Sequence, residues 1–180
     1  MGVGLLGGSE KSITGYWNKQ PTFKILAIRT VIFVAIYYLM ALYYFGFSFD
    51  FYGVNKLASP LTILALLAPF LLTSSFIGIC LGALLPRREL VTVVVLISSM
   101  PLIFSAGFIW PLESVPLPII WLSNLFPSTP AMQSFLAVNQ MGADFSQILP
   151  QWAVLWLQLL IWGVLAYLTY KRSQQTSLRE

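Results

Sequence analysis

Four long apolar runs alternate with short polar stretches along this chain. They extend from Ile25 to about Phe47, from about Pro60 to Leu85, from Leu90 to Trp110 and from Trp152 to Tyr170. An α-helix rises about 1.5 Å per residue, so about 20 apolar residues carry it across a hydrocarbon core of about 30 Å. Each run meets that length and predicts a transmembrane helix. The third opens with Val91, Val93, Val94 and Val95, which alone would suit a buried strand; its length and lack of charge decide for a helix. Pro60 fits the first turn of the second helix, where a missing N–H costs nothing. Pro69 predicts a kink further along it, which membrane helices tolerate. Pro101 and Gly107 predict a kink or break in the outer half of the third. Arg29 sits one turn inside the first run and is placed to snorkel toward headgroups. Tyr37, Tyr38, Tyr43 and Tyr44 gather toward that run's far end, as interfacial aromatics do.

Residues 111–150 break the pattern. They are too polar and proline-rich for a span and too apolar for an ordinary loop, with Pro111, Pro116, Pro118, Pro127, Pro130 and Pro150 as punctuation. Between these lie two short amphipathic stretches, Ile119-Ile120-Trp121-Leu122 and Met132 to Val138. They read as interfacial or re-entrant helices that dip into the membrane without crossing, and backbone at that depth requires protein or water cover. The predicted fold is therefore an all-α integral membrane protein. It has a segment 1–24, a transmembrane domain 25–170 with spans of about 25–47, 60–85, 90–110 and 152–170, a re-entrant region 111–150, and a tail 171–180.

Composition agrees. Of 180 residues, 58% are hydrophobic and 9% charged, against about 25% charged in soluble domains. So little charge cannot cover a globular surface of this size. The net charge of +4 belongs to the flanks of the apolar runs, which points to topology rather than to nucleic acid. Alternating spans place residues 1–24, 86–89 and 171–180 on one side. That side holds Lys11, Lys19, Lys24, Arg29, Arg87, Arg88, Lys171, Arg172 and Arg179, nine of ten basic residues, and leaves Lys56 to the other. The positive-inside rule then predicts both termini in the cytoplasm. Met1 to Gly8 has no preceding basic residue and is too short for a signal peptide; it reads as the tail of an earlier span.

Several chemistries are excluded. The chain has no histidine and one cysteine, Cys80, so Ser-His and Cys-His catalysis, His-ligated zinc and an intrachain disulfide are ruled out. No catalytic, cofactor or metal site is expected. Gly7-Gly8-Ser9-Glu10-Lys11-Ser12 is not a P-loop: two residues separate the glycine from the lysine, Glu10 would repel phosphate, and no strand precedes it. Any ATP is bound by a partner. No acid or base lies at the centre of a run, which argues against ion-coupled transport and intramembrane proteolysis. Ser74, Ser75, Ser98, Ser99 and Ser105 have no basic partner and are expected to bond to the preceding turn's carbonyls. Ser74, Gly78 and Gly82 form a small-residue face, either a contact between protomers or internal packing of the bundle. Glu113 is either an interfacial or capping acid or an element of an outer gate.

Ser105-Ala106-Gly107-Phe108-Ile109-Trp110-Pro111-Leu112-Glu113-Ser114-Val115-Pro116 resembles a signature of the type-2 ABC export permeases, with Val115 where methionine is common. Trp121-Leu122-Ser123-Asn124-Leu125-Phe126-Pro127-Ser128-Thr129-Pro130 is similar to that family's following segment. Its members usually have six spans, and this sequence resembles the last four. The resemblance implies a permease subunit of an ATP-binding-cassette exporter in the bacterial inner membrane. Such a subunit pairs with a second permease copy, as homo- or heterodimer, within membrane lipid and with a separate ABC ATPase. It also implies a cytoplasmic coupling helix at residues 10–24, with Glu10, Gly15, Tyr16, Trp17 and Lys19 as candidates, and an outer gate drawn from Gly107, Trp110, Pro111, Glu113 and Pro116. The alternatives are a non-transport membrane scaffold or assembly protein, or a truncated, inactive permease.

Overall fold

The computed structural model describes residues 22–53, 57–85, 89–105, 118, 121 and 123–177. Helix α1 covers Thr22–Ala41 and passes without a break into a π-helix, Leu42–Ser48, and one further turn, Phe49–Phe51. Ala41 and Phe49 both keep helical dihedrals, and the Phe49 N–H donates to Gly46 O and Tyr44 O. Helix α2 covers Pro60–Leu84, α3 Glu89–Ser105, α4 Ser128–Gln140 and α5 Leu149–Ser177, led in by a 3-10 turn at Phe145–Ile148. Among the described residues the secondary structure is entirely helical.

Local chemistry sets the ends of α2. Ser59 is extended and its Oγ accepts the Thr62 N–H at 3.2 Å, with Pro60 as the first helical residue. This is a side-chain N-cap followed by proline where proline is best tolerated. At the other end Leu85 turns extended, the conformation favoured before a proline. After α4, Gly142 takes a φ of +65°, open to glycine without steric cost. The chain there turns back and the Ala143 N–H closes on Ala137 O at 3.0 Å.

Three stretches among the described residues are long and apolar enough to cross a membrane: Leu26–Ser48, Pro60–Gly82 and Phe145–Thr169. Half of the Pro60–Gly82 window is buried inside the chain, against 11% and 17% for the other two, so α2 is the hub. Its first half joins α4 and the start of α5 through Ala58, Ile63, Leu66, Val138 and Ile148, with Phe45 and Phe135 packed alongside. Its second half meets α1 and α5 through Leu26, Ile79 and Ala166, with Phe76 beside them. The outward faces carry Leu39, Leu157 and Leu160, all more than half exposed, as lipid-facing residues are expected to be.

Small residues let α5 approach α2 closely. A Cβ built on Gly163 would lie 3.4 Å from Phe76 Cε2, an ordinary van der Waals contact. Gly163→Ala is therefore expected to be neutral or to stabilise the bundle by up to about 1 kcal/mol through helix propensity, measured as the unfolding midpoint in micelles.

The sequence expectations differ from the structure at their edges. The first helix begins before Ile25 and runs on to Phe51, shortening the expected link of 48–59. Helix α5 starts at Leu149 rather than Trp152, and Pro150 lies in its first turn, where it needs no donor. The stretch expected at Met132 to Val138 is the middle of α4. Of the expected third span, 90–110, the described part is the 17-residue helix α3, with a shorter apolar core at Thr92–Pro101. Residues 106–110 lie outside the described residues.

Candidate functional site

The centre of the molecule is organised around a missing donor. Pro69 has no N–H, so the carbonyl of Ala65, one turn earlier in α2, loses its intrahelical partner. Trp152 of α5 supplies one: its indole Nε1–H donates to Ala65 O at 3.1 Å. From the opposite neighbour, α1, the Tyr38 hydroxyl donates to the adjacent carbonyl, Leu64 O, at 2.7 Å. Just beyond the proline, the fully buried Thr73 donates to Pro69 O at 2.7 Å and lies 3.5 Å from Leu155 O. Side chains of α1 and α5, with Thr73 of α2 itself, thus meet the carbonyls around Pro69, which is how a proline inside a span is accommodated.

A second set of hydrogen bonds fixes where α4 begins. Gln158 is 6% exposed, and its Nε2 donates to Asn124 O at 2.6 Å. Thr129 Oγ1 donates to Ser123 O at 3.0 Å, and the Phe126 N–H donates to the same carbonyl at 3.1 Å. Gln158 lies about 13 Å along α5 from Leu149 at the standard helical rise. The turn it holds is therefore at the middle of the bundle. The other end of α4 meets the starts of α2 and α5, where Val138 packs with Ile148 and the Leu57 N–H donates to Asn139 O at 3.4 Å. Helix α4 accordingly runs from mid-bundle to one edge without traversing it.

Two cavities flank this centre. One, of about 310 Å³, is lined by Tyr37, Phe70, Leu71, Ser74, Ser75, Ile77 and Phe126-Pro127-Ser128. The other, of about 380 Å³, lies toward the edge among Phe45, Leu66, Leu67, Phe70, Ile103, Ser128, Ala131, Met132 and Phe135. Phe70 and Ser128 belong to both walls and separate the two spaces.

Of the residues singled out in the sequence, Gly78 and Gly82 are buried within the single chain, and Ser74 is partly buried at the first cavity. Ser75, Ser98 and Ser99 donate to the preceding turn at Leu71, Val95 and Leu96, as expected. The coupling candidates Glu10, Gly15, Tyr16, Trp17 and Lys19, and the gate candidates Gly107, Trp110, Pro111, Glu113 and Pro116, lie outside the described residues. Sequence reading missed the pairing of Trp152 and Tyr38 with the carbonyls before Pro69, and the tether made by Gln158. A proline inside a span, flanked in other spans by aromatic residues with hydrogen-bond donors, is the signal that would have found the first.

Comparison with known proteins gives one match. The family model described as ABC-2 family transporter protein matches residues 21–168, which takes in the first two candidate spans, α4 and all but the last residue of the third span. Neither the curated proteins nor the solved structures give a match. The matched region covers most of the chain, and its long apolar helices are those of an integral membrane protein. The chain belongs to the ABC-2 transporter family, as a permease of the type-2 ABC class.

Proposed function

We propose that this chain is the membrane-spanning permease subunit of an ATP-binding-cassette exporter. It moves its substrate with a separate ATPase and a second permease copy, in a bacterial inner membrane with both termini cytoplasmic. The observation that carries this reading is the family match over residues 21–168. Charge placement supports it: no acid or base lies at mid-length of a described candidate span, so the force for transport comes from outside the spans rather than from an intramembrane ion relay. In this reading Glu10, Gly15, Tyr16, Trp17 and Lys19 form the handle that receives force from the ATPase. The face of Ser74, Gly78 and Gly82 is the close-packed helix contact, and Gly107, Trp110, Pro111, Glu113 and Pro116 form the outer gate.

The test is co-purification in a mild detergent with intact masses of everything recovered. An ATPase partner and a second permease copy are expected, and joint replacement of Tyr16, Trp17 and Lys19 by alanine is expected to release the ATPase. Recovery of the chain with no ATPase, or docking indifferent to that replacement, would overturn the assignment.

A further inference from the structure

Helix α4 starts beside Gln158, at mid-length of the candidate span Phe145–Thr169, and the start of a helix is rich in unpaired donors. Pro130 brings no N–H, and the Ala131 N–H donates to Pro127 O at 3.2 Å. The N–H groups of Ser128 and Thr129 come before that bond and have no acceptor within the helix. The Ser128 side chain adds to the demand: its Oγ is buried and has no hydrogen-bond partner in the chain. On the α5 side of the same turn, Gln158 uses its Nε2 on Asn124 O and leaves its buried Oε1 without a donor. Hydrocarbon satisfies none of these groups, and irregular backbone persists at membrane depth only under protein or beside water.

We propose that the cavity beside this turn, the one of about 310 Å³, is a binding site for a small cluster of water molecules inside the membrane. Ser128 lies in its wall with three further hydroxyl side chains, Tyr37 from α1 and Ser74 and Ser75 from α2. Ser75 donates to Leu71 O, and its oxygen still has lone pairs to accept with. A buried water takes about three polar partners and about 30 Å³ of space, so this cavity has room for several and hydroxyls to hold them. The occupant is decided by those hydroxyls. A lipid tail or an apolar face of another chain would leave Ser128 Oγ as unpaired as before and would gain nothing over its place in the bilayer, whereas water pairs it. The cavity of about 380 Å³ is the internal control: it shares Ser128, but its other walls are apolar side chains, and apolar cavities stay dry. The site depends on the chain spanning a membrane and not on its exporting anything.

The experiment reconstitutes the full chain in phosphatidylcholine vesicles and exposes it to short X-ray pulses. These make hydroxyl radicals from water wherever it sits, and the radicals oxidise the side chains that touch that water. Oxidation rates are read residue by residue with peptide mass spectrometry. Phe126, in the wall of the hydrated cavity, is expected to oxidise several times faster than Phe45 and Phe135 in the dry one; all three are phenylalanines, so intrinsic reactivity cancels. Tyr37 is expected to oxidise several times faster than Tyr38, whose hydroxyl is taken up by Leu64 O. Ser74→Leu, which fills the hydrated cavity and removes one of its hydroxyls, is expected to bring Phe126 down to the rate of Phe135. Phe126 oxidising no faster than Phe45 and Phe135 would mean that lipid or protein fills the space, and would overturn the proposal. A folded Ser74→Leu variant with Phe126 oxidised as fast as before would place the water elsewhere and overturn it equally. Should that variant fail to fold, the tyrosine pair decides, since equal rates at Tyr37 and Tyr38 would remove the water from the α1 wall.

Discussion

Trp152→Phe is expected to destabilise the bundle by about 1–2 kcal/mol, and to cost much less when Pro69 is alanine. The substitution removes the indole N–H and leaves Ala65 O without a donor in the partly buried middle of a candidate span. An orphaned buried acceptor costs about 1–3 kcal/mol, and interhelical hydrogen bonds in membranes contribute about 0.6 to 2 kcal/mol. The ring of Trp152 also packs edge-on against Phe145 and Trp156, with centroids 5.6 Å away in each case. A simple loss of stability would therefore not separate the hydrogen bond from the packing. The double-mutant cycle does. Alanine at position 69 restores an N–H one turn after Ala65, so the carbonyl has a donor whether or not the indole is present. Unfolding titrated with denaturing detergent in mixed micelles, for wild type, the two single variants and the double, gives the coupling energy directly. If Trp152→Phe costs the same in both backgrounds, the indole serves only to pack and the carbonyl needs no cap.

Ala166→Leu is expected to cost about 1–3 kcal/mol, the usual penalty for forcing extra methylenes into a filled interior. Ala166 is fully buried where α1, α2 and α5 converge, against Leu26 and Ile79. The larger side chain has nowhere to go unless one of the three helices moves outward. In water such a residue would gain from burial; within a bilayer that gain vanishes, because lipid tails are as apolar as leucine. Only the packing penalty remains. The matched comparison is Leu160→Ala, on the outward face of the same helix and 64% exposed. It is expected to be close to neutral, because lipid takes the place of the lost methylenes. Equal effects at the two sites, in the same micelle assay, would show that the junction is loose rather than close-packed.

Three of the four expected long apolar helices were legible because hydrocarbon imposes a demand that any apolar run of sufficient length answers, and Ile25 to Phe47 or Pro60 to Leu85 answer it without reference to anything else in the chain. Their ends were less so. Hydropathy marks where the lipid stops, whereas the helix stops where capping or proline dictates. Hence α5 outruns its apolar run at both ends, from Leu149 to Ser177, and α1 winds on through a π-helix that no local signal announces. A short helix was legible at Met132 to Val138 between the prolines, and α4 lies there. Its depth was not, because that depends on Gln158 reaching Asn124 across 34 positions. Likewise Pro69 advertised a break, but the remedy sits 87 positions from the orphaned carbonyl, in a tryptophan that on its own reads as an interfacial anchor. Pairings of this kind exist only after the helices have docked, so periodicity and composition carry no trace of them.

The π-helix at the end of α1 stores a rotation. A π-turn takes one more residue into each hydrogen-bonded ring than an α-turn does, and one residue of an α-helix corresponds to about 100° about the axis. Rewinding a single wide turn of Leu42–Ser48 into α form would swing everything after it through roughly that angle. Phe45, now 5.3 Å from Phe135 between ring centroids, holds the winding in its present phase from inside the bundle. The stacked rings of Tyr43, Phe47 and Phe51, at successive centroid spacings of 5.7 and 5.9 Å, would turn as one column around the outside. An all-α winding of this stretch would thus differ from the observed one by a register step rather than by a continuous bend.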